Sequence, residues 1–117
     1  MKKLFVLYKT HLDIGFTDLS SNIVDLYLEK YVPNAINTAI KLNNEGKKSF
    51  VWQTGSWIIN EYLKKASGEE LEAAEYAIKN DLVSWHALPF TAHTELFSEE
   101  LLEYGLSISR AFCIFFC

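Results

Sequence analysis

The stretch LYKTHLDIGFTDLSSN, residues 7–22, joins the end of an apolar run to a pair of polar residues and then to a helix start. The apolar run from Leu4 to Tyr8 is typical of a strand that is buried on both faces, and such strands belong mainly to parallel sheets. His11 and Asp13 follow directly, two residues apart. The stretch therefore predicts a parallel strand whose carboxyl end carries a histidine and a carboxylate.

The rest of the chain alternates between strand and helix patterns. We predict strands at 50–52 and 82–87, and helices that start at Ser20 or Ser21, at Ser56, at Ser67 and near Ser98. Pro33 predicts a kink or a restart in the first helix, which continues to Asn44 with Gly46 as its cap. Ser67 and Glu70 have the spacing of a capping box. Helices between successive strands indicate an α/β fold with parallel strands and crossover helices.

Composition places the chain among folded domains and excludes several function classes. Half of the 117 residues are hydrophobic, which is enough for one modest domain with a single core. With 11 Lys plus Arg against 15 Asp plus Glu, the chain lacks the basic excess that suits nucleic acid. No stretch approaches the roughly 20 apolar residues of a membrane span, and Cys113 and Cys117 form no disulfide framework. We therefore expect a cytoplasmic protein without nucleic-acid or membrane partners.

His11 and Asp13 are the first candidates for a functional site. Side chains two residues apart on an extended segment point the same way, so one rigid edge would supply both. An imidazole nitrogen and a carboxylate oxygen are ligands that zinc takes, and catalytic zinc keeps a position open for substrate. The alternative is a loop histidine bonded to backbone, with Asp13 or Asp18 supporting the helix start. Phe16, beside the pair, is either a ring that stacks on a sugar or a core residue.

A second group of candidates follows the third predicted strand. His86 ends that strand after Trp85, and His93 and Glu95 lie in the loop beyond it. The carboxyl ends of parallel strands are where α/β folds gather their chemistry. A loop carboxylate beside a histidine suits a base, a nucleophile or a third metal ligand. The alternatives are core positions for Trp85 and His86, and surface positions for His93 and Glu95.

The sequence also resembles a known enzyme family. HLDIGF, residues 11–16, is similar to the H-x-D-x-G-W metal motif of family 38 glycoside hydrolases, the zinc-dependent alpha-mannosidases. The motifs KTHLDIGFTDL (9–19), VWQTGSW (51–57) and WHALPFTAHTEL (85–96) look closer still to a bacterial group of glycoside-hydrolase-like proteins of undefined function. The resemblance runs to about Arg110, and three motifs in the right order are far more specific than one H-x-D pair.

This resemblance implies the N-terminal part of an irregular (β/α) barrel that binds zinc. It implies that His11 and Asp13 hold the zinc ion, and that Phe16 stands where the mannosidases carry a Trp that stacks on the sugar. The reaction would be a retaining hydrolysis of an alpha-mannoside-like carbohydrate. The sequence departs from the family at Lys9, where the mannosidases have a histidine upstream of the metal pair.

The resemblance also bears on the catalytic carboxylate. The family's nucleophile is an Asp after the third strand, but this chain has no Asp after Asp81. Glu95 is the first carboxylate in the matching loop, so we expect Glu95 to be the nucleophile with His93 beside it. Trp85 and His86, in the same motif, are expected to bind substrate.

We expect residues 1–117 to be the N-terminal portion of a single α/β catalytic domain, truncated, with the remainder of the catalytic chain downstream. The family's remaining strands and last zinc ligand have no counterpart in the sequence. The tail, residues 107–117, turns from an amphipathic helix to an almost wholly apolar end, and a folded domain rarely exposes such a run. We expect this fragment alone to be inactive.

Two other functions stay open on the sequence. One is a different metal-dependent hydrolase on a similar barrel, such as a carbohydrate deacetylase, in which zinc activates water instead of orienting sugar hydroxyls. The other is a non-catalytic carbohydrate-binding or interaction module that keeps the fold without the chemistry.

Overall fold

The computed structural model describes residues 2–4, 9–43 and 49–116. It contains helices α1 (Ser20–Leu26), α2 (Val32–Asn43), α3 (Ser56–Lys65), α4 (Glu69–Lys79) and α5 (Glu99–Phe116), and strands β1 (Trp52–Gly55) and β2 (Val83–His86). A π-helical turn, Tyr27–Tyr31, joins α1 to α2, and a 3₁₀ turn, Thr94–Leu96, precedes α5. The predicted first strand lies mostly in residues 5–8, outside the described residues, as does the predicted cap at Gly46.

The sheet is parallel and is connected through helices. β1 and β2 pair along their full lengths, and α3 and α4 form the connection between them. Lys9 makes a parallel bridge to Gln53, and the Thr10 N–H donates to the Gln53 carbonyl at 2.9 Å. Since β2 occupies one edge of β1, the segment at Lys9 lies along the other edge. The two strands and the one bridge among the described residues are too few to test the predicted partial barrel, which stays a prediction.

The observed bounds of β1 differ from the predicted ones. The strand was expected at Phe50–Trp52, but it runs from Trp52 to Gly55, so Gln53 and Thr54 lie within it. Thr54 is buried although it is polar. The backbone pairing on both edges of β1, rather than the apolar run before it, sets where this strand begins and ends.

One hydrophobic core lies between the sheet and the helices. α2 and α4 pack on each other and α3 packs on α5. The buried side chains come from every one of these helices and from both strands: Val32, Ile36, Ala39, Trp52, Ile58, Ile59, Tyr62, Ala74, Ala77, Ile78, Val83, Ile108 and Phe112.

Pro33 does not stop the first helix. The chain passes from α1 through the π-helical turn into α2, which includes Pro33 near its start. A proline lacks the N–H that would bond to the carbonyl four residues earlier, and its ring crowds that carbonyl, here Glu29. The wider π turn contains Glu29 and separates these groups, so the helix continues instead of restarting.

Two predicted helix caps were wrong. α4 begins at Glu69 with Gly68 as its N-cap and no side-chain cap bond, so Ser67 and Glu70 form no capping box. Gly68 has φ +55, a left-handed conformation that glycine adopts without steric cost. Ser56 is the first residue of α3 rather than its cap, and its hydroxyl lies 3.3 Å from the Leu88 carbonyl, to which it donates.

The ends of α1 and α5 give one correction and one confirmation. Neither Ser20 nor Ser21 caps α1; the Asp18 carboxylate instead accepts a hydrogen bond from the Leu19 N–H at 2.7 Å. The Leu101 N–H donates to the Ser98 hydroxyl at 3.2 Å, so α5 starts where the sequence predicted.

The inward face of α5 is formed by Gly105, Ile108 and Phe112, which are buried, whereas Leu101 and Leu106 of the same helix are exposed. Gly105 lies against the ring of Pro89, which a side chain at this position would strike. No helix in the described part of the chain is long and apolar enough to cross a membrane.

Candidate metal-binding site

The carboxyl edge of the sheet is held together by contacts across long sequence separations. The Trp52 indole N–H donates to the Thr10 hydroxyl at 2.7 Å, which fixes the N-terminal segment beside β1. The Lys9 ammonium donates to the Thr91 hydroxyl at 3.2 Å, which links the same segment to the loop after β2. The N-terminal segment and the loop after β2 therefore meet at one edge, where ligands bind in parallel α/β sheets.

His11 and Asp13 come together at this edge. His11 Nε2 lies 2.9 Å from Asp13 Oδ1, and the two side chains are 53% and 63% exposed. Between them Leu12 packs against the core, which turns the two polar side chains outward. The sequence predicted this pair, and the spacing of two residues was sufficient because the side chains alternate about Leu12.

Tyr27 anchors the backbone of the pair. Its hydroxyl donates to the His11 carbonyl at 3.1 Å, and its ring meets that of Tyr31 edge-on with centroids 5.1 Å apart. Burial raises the pKa of Tyr27, and the negative charge of Asp13 adds to this effect. The sequence carries no local signal for this role of Tyr27, because the hydrogen bond joins residues 16 positions apart.

The imidazole nitrogen of His11 and the carboxylate oxygen of Asp13 suit zinc, but two ligands do not complete a zinc site. Two ligand atoms at about 2.0–2.1 Å from zinc in tetrahedral geometry are about 3.3 Å apart, so a 2.9 Å separation needs only a small opening to admit the ion. Catalytic zinc uses three protein ligands. Within residues 2–4, 9–43 and 49–116, no group of three or more His, Cys, Asp or Glu side chains is placed to hold a metal.

His93 and Glu95 form a second, separate pair. His93 Nδ1 lies 3.3 Å from Glu95 Oε1, and the side chains are 81% and 70% exposed. The 3₁₀ turn Thr94–Leu96 brings these two side chains together. The structure does not gather this pair with His11 and Asp13 into one metal cluster of the described residues. The expected roles of His93 and Glu95 in catalysis stay predictions.

His86 lies at the carboxyl end of β2 and is partly buried. It lines a cavity of about 10 Å³, room for roughly one water molecule, together with Thr10, Gly55 and Thr91. Burial lowers the pKa of His86, and the positive charge of Lys9 lowers it further, against a hydrogen bond to the Leu88 backbone. The shift favours the neutral imidazole of His86, which has one N–H donor and one acceptor nitrogen for hydrogen bonds at this end of the sheet.

The two aromatic candidates lie in different surroundings. Phe16 is 85% exposed and follows Gly15, whose φ of +92 favours glycine, so its ring is free to meet a ligand. Trp85 packs edge-on against Phe112 with ring centroids 5.1 Å apart. Because successive strand residues face opposite sides, Trp85 points away from the face of His86. The expected role of Trp85 in substrate binding stays a prediction.

Comparison with known proteins adds no family assignment. No family model matches the chain, and no curated protein or solved structure is significantly similar to it.

Proposed function

We propose that this chain carries the first metal-binding pair of a zinc-dependent glycoside hydrolase that acts on alpha-mannoside-like carbohydrate. The observation that supports this most is the 2.9 Å approach of His11 Nε2 to Asp13 Oδ1 at the carboxyl edge of a parallel pair of strands. An imidazole and a carboxylate at this separation are two of the ligands that a catalytic zinc ion needs. The remaining ligands are not among the described residues.

His11 and Asp13 would hold the ion, and Tyr27 keeps the His11 backbone in place through its hydroxyl. Zinc, when bound, would polarise and orient hydroxyl groups of the sugar. The exposed ring of Phe16 supplies a flat apolar surface for the face of a pyranose, which carries C–H groups. These residues bind and orient the terminal sugar.

Glu95 is our proposed nucleophile. Its carboxylate lies beside His93, whose ring N–H would orient the attacking oxygen. In a retaining reaction this oxygen forms a bond to the anomeric carbon as the glycosidic bond breaks, and a general acid gives its proton to the leaving oxygen. The same group then takes a proton from water, whose oxygen displaces the Glu95 carboxylate and releases the sugar.

A non-catalytic carbohydrate-binding module is the second candidate. The high exposure of His11 and Asp13, and the lack of a third metal ligand among the described residues, favour a module that binds carbohydrate without a metal ion.

Zinc-dependent sugar binding separates the two functions. Calorimetric titration of methyl alpha-mannoside into the chain, with and without zinc, should give binding only when zinc is present. His11→Ala should weaken zinc binding by at least about tenfold and weaken sugar binding with it, whereas Glu95→Gln should retain both. Sugar binding that survives His11→Ala would support the non-catalytic module and contradict the zinc proposal.

A further inference from the structure

Lys9 places a positive charge at the carboxyl edge of the sheet. Its ammonium group donates to the Thr91 hydroxyl at 3.2 Å, and its bridge to Gln53 fixes its backbone at the edge of β1. In the described part of the chain, no carboxylate lies within ion-pair distance of this ammonium group. The acidic side chains of the adjoining segments have other partners. Asp13 pairs with His11 and Glu95 with His93, while the Asp18 carboxylate accepts hydrogen bonds from Leu19 and Asn22.

The hydrogen-bonding capacity of Lys9 and Thr91 is only partly used. A lysine ammonium has three N–H donors, and Thr91 accepts one of them. The Thr91 hydroxyl, with one of its acceptor positions occupied by Lys9, still has its own O–H to donate. Two N–H groups and one O–H therefore remain for a negatively charged oxygen. The positive charge of Lys9 also acts on a neighbouring side chain, because it contributes to the lowered pKa of His86.

Lys9 also lies on the same chain segment as the proposed metal ligands. It precedes His11 by two residues and Asp13 by four, and alternate residues of an extended segment share a face. A sugar held at His11 and Asp13 would thus have Lys9 within reach of one of its substituents.

We infer that Lys9 and Thr91 form a subsite for an anionic substituent, a carboxylate or a phosphate, on the carbohydrate that the chain binds. This inference rests on the proposed function, because it places the subsite beside the His11–Asp13 pair. Lysine recognises such groups as a point charge, and charge-assisted hydrogen bonds are stronger than neutral ones. The substrate class would then be an acidic sugar rather than plain mannose.

The test compares three sugars on the full chain with zinc, at about 50 mM salt: methyl alpha-mannoside, the methyl glycoside of mannuronic acid, and mannose 6-phosphate. We expect at least one acidic sugar to bind roughly fivefold more tightly than the neutral one, which is the scale of an exposed charge pair. Comparing the mannuronic acid glycoside with mannose 6-phosphate shows whether the subsite prefers a carboxylate or a phosphate. Lys9→Met should remove the preference, and Thr91→Val should reduce it.

Two matched variants and a metal titration make the outcomes distinct. Lys9→Arg should keep the preference, and Lys41→Met, which removes an exposed charge on α2, should leave it unchanged. If zinc binds and all three sugars bind equally, the subsite is overturned and the zinc proposal stands. If zinc binds and none of the three sugars binds, the subsite is overturned and the carbohydrate part of the proposed function is contradicted as well. If zinc does not bind while the Lys9-dependent preference persists, the proposed function fails and the anionic subsite stands. An equal loss of preference in Lys41→Met would also overturn the subsite.

Discussion

Gly55 is the position at which a single added methyl group should do most damage. It ends β1 and precedes α3, with φ −77 and ψ 150, a conformation that alanine adopts freely. A Cβ at this position would overlap the carbonyl oxygen of Pro89 and lie 3.1 Å from the Phe90 Cα. These are backbone atoms, and the Pro89 carbonyl is held by a 3.0 Å hydrogen bond from the Trp57 N–H. The loop therefore has no side-chain freedom with which to relieve the overlap.

We expect Gly55→Ala to lower the free energy of unfolding by about 1.5–4.5 kcal/mol. Overpacking costs about 1–3 kcal/mol, and loss of the Trp57–Pro89 hydrogen bond adds about 0.5–1.5 kcal/mol. Urea unfolding followed by circular dichroism measures the change, with the m-value expected to stay constant. Because Gly55 supports the loop that carries Thr91, Gly55→Ala should also weaken the Lys9–Thr91 contact.

Gly105→Ala is the matched control. A Cβ there would lie 2.9 Å from side-chain atoms of the same Pro89, not from its backbone. The gain of about 1 kcal/mol from replacing a helical glycine offsets part of that clash, so the net loss should be clearly smaller than for Gly55→Ala. If Gly55→Ala stays within about 0.5 kcal/mol of the wild type, or matches Gly105→Ala, the close contact with the Pro89 backbone is refuted.

Three further predictions concern the hydrogen bond from Tyr27 to His11, the pH dependence of stability and the packing of the hydrophobic core. Tyr27→Phe should lower the free energy of unfolding by about 1 kcal/mol and weaken zinc binding, because the His11 carbonyl loses its donor; urea unfolding and zinc titration should show no such effect for Tyr31→Phe. The pKa of His86 is lower in the folded chain than in the unfolded one. As the pH drops, the unfolded chain therefore binds the proton first, and the free energy of unfolding should fall below about pH 6.5. The fall should level off once the folded chain is protonated as well. Thermal melts from pH 7.5 to 5 check this, and His86→Gln should remove that part of the slope; an unchanged slope would contradict it. Phe112→Ala should cost about 3–5 kcal/mol in urea unfolding because Phe112 is buried, whereas Phe115→Ala, at an exposed position of the same helix, should stay within about 0.5 kcal/mol.

The helices were predictable where a local pattern alone decides the structure. Ser98 caps α5 as its position before the apolar pattern indicated, because the cap bond joins residues three apart. Ser56 and Ser67 carry the same kind of pattern, and their caps were wrong. The Ser56 hydroxyl bonds the Leu88 carbonyl from a distant loop, and Gly68 takes the N-cap position of α4. Contacts made in the folded state outweighed an equally good local pattern.

The candidate site shows the same division between local and distant contacts. The approach of His11 to Asp13 follows from a two-residue spacing, so the sequence was sufficient to predict it. The contact of Lys9 with Thr91 spans 82 positions and depends on how the loop after β2 folds back. No spacing rule reaches that far, and the partner of Lys9 was therefore not predictable.

Zinc titration of the full chain, with two matched histidine variants, decides whether His11 and Asp13 bind a metal ion. His11 and His93 are both exposed, and each pairs with a carboxylate two residues later, at 2.9 Å and 3.3 Å. The proposal predicts that the wild type binds zinc, that His11→Ala and Asp13→Asn weaken this binding by at least about tenfold, and that His93→Ala leaves it unchanged. The absence of zinc binding in the wild type, or an equal loss in His93→Ala and His11→Ala, would contradict it.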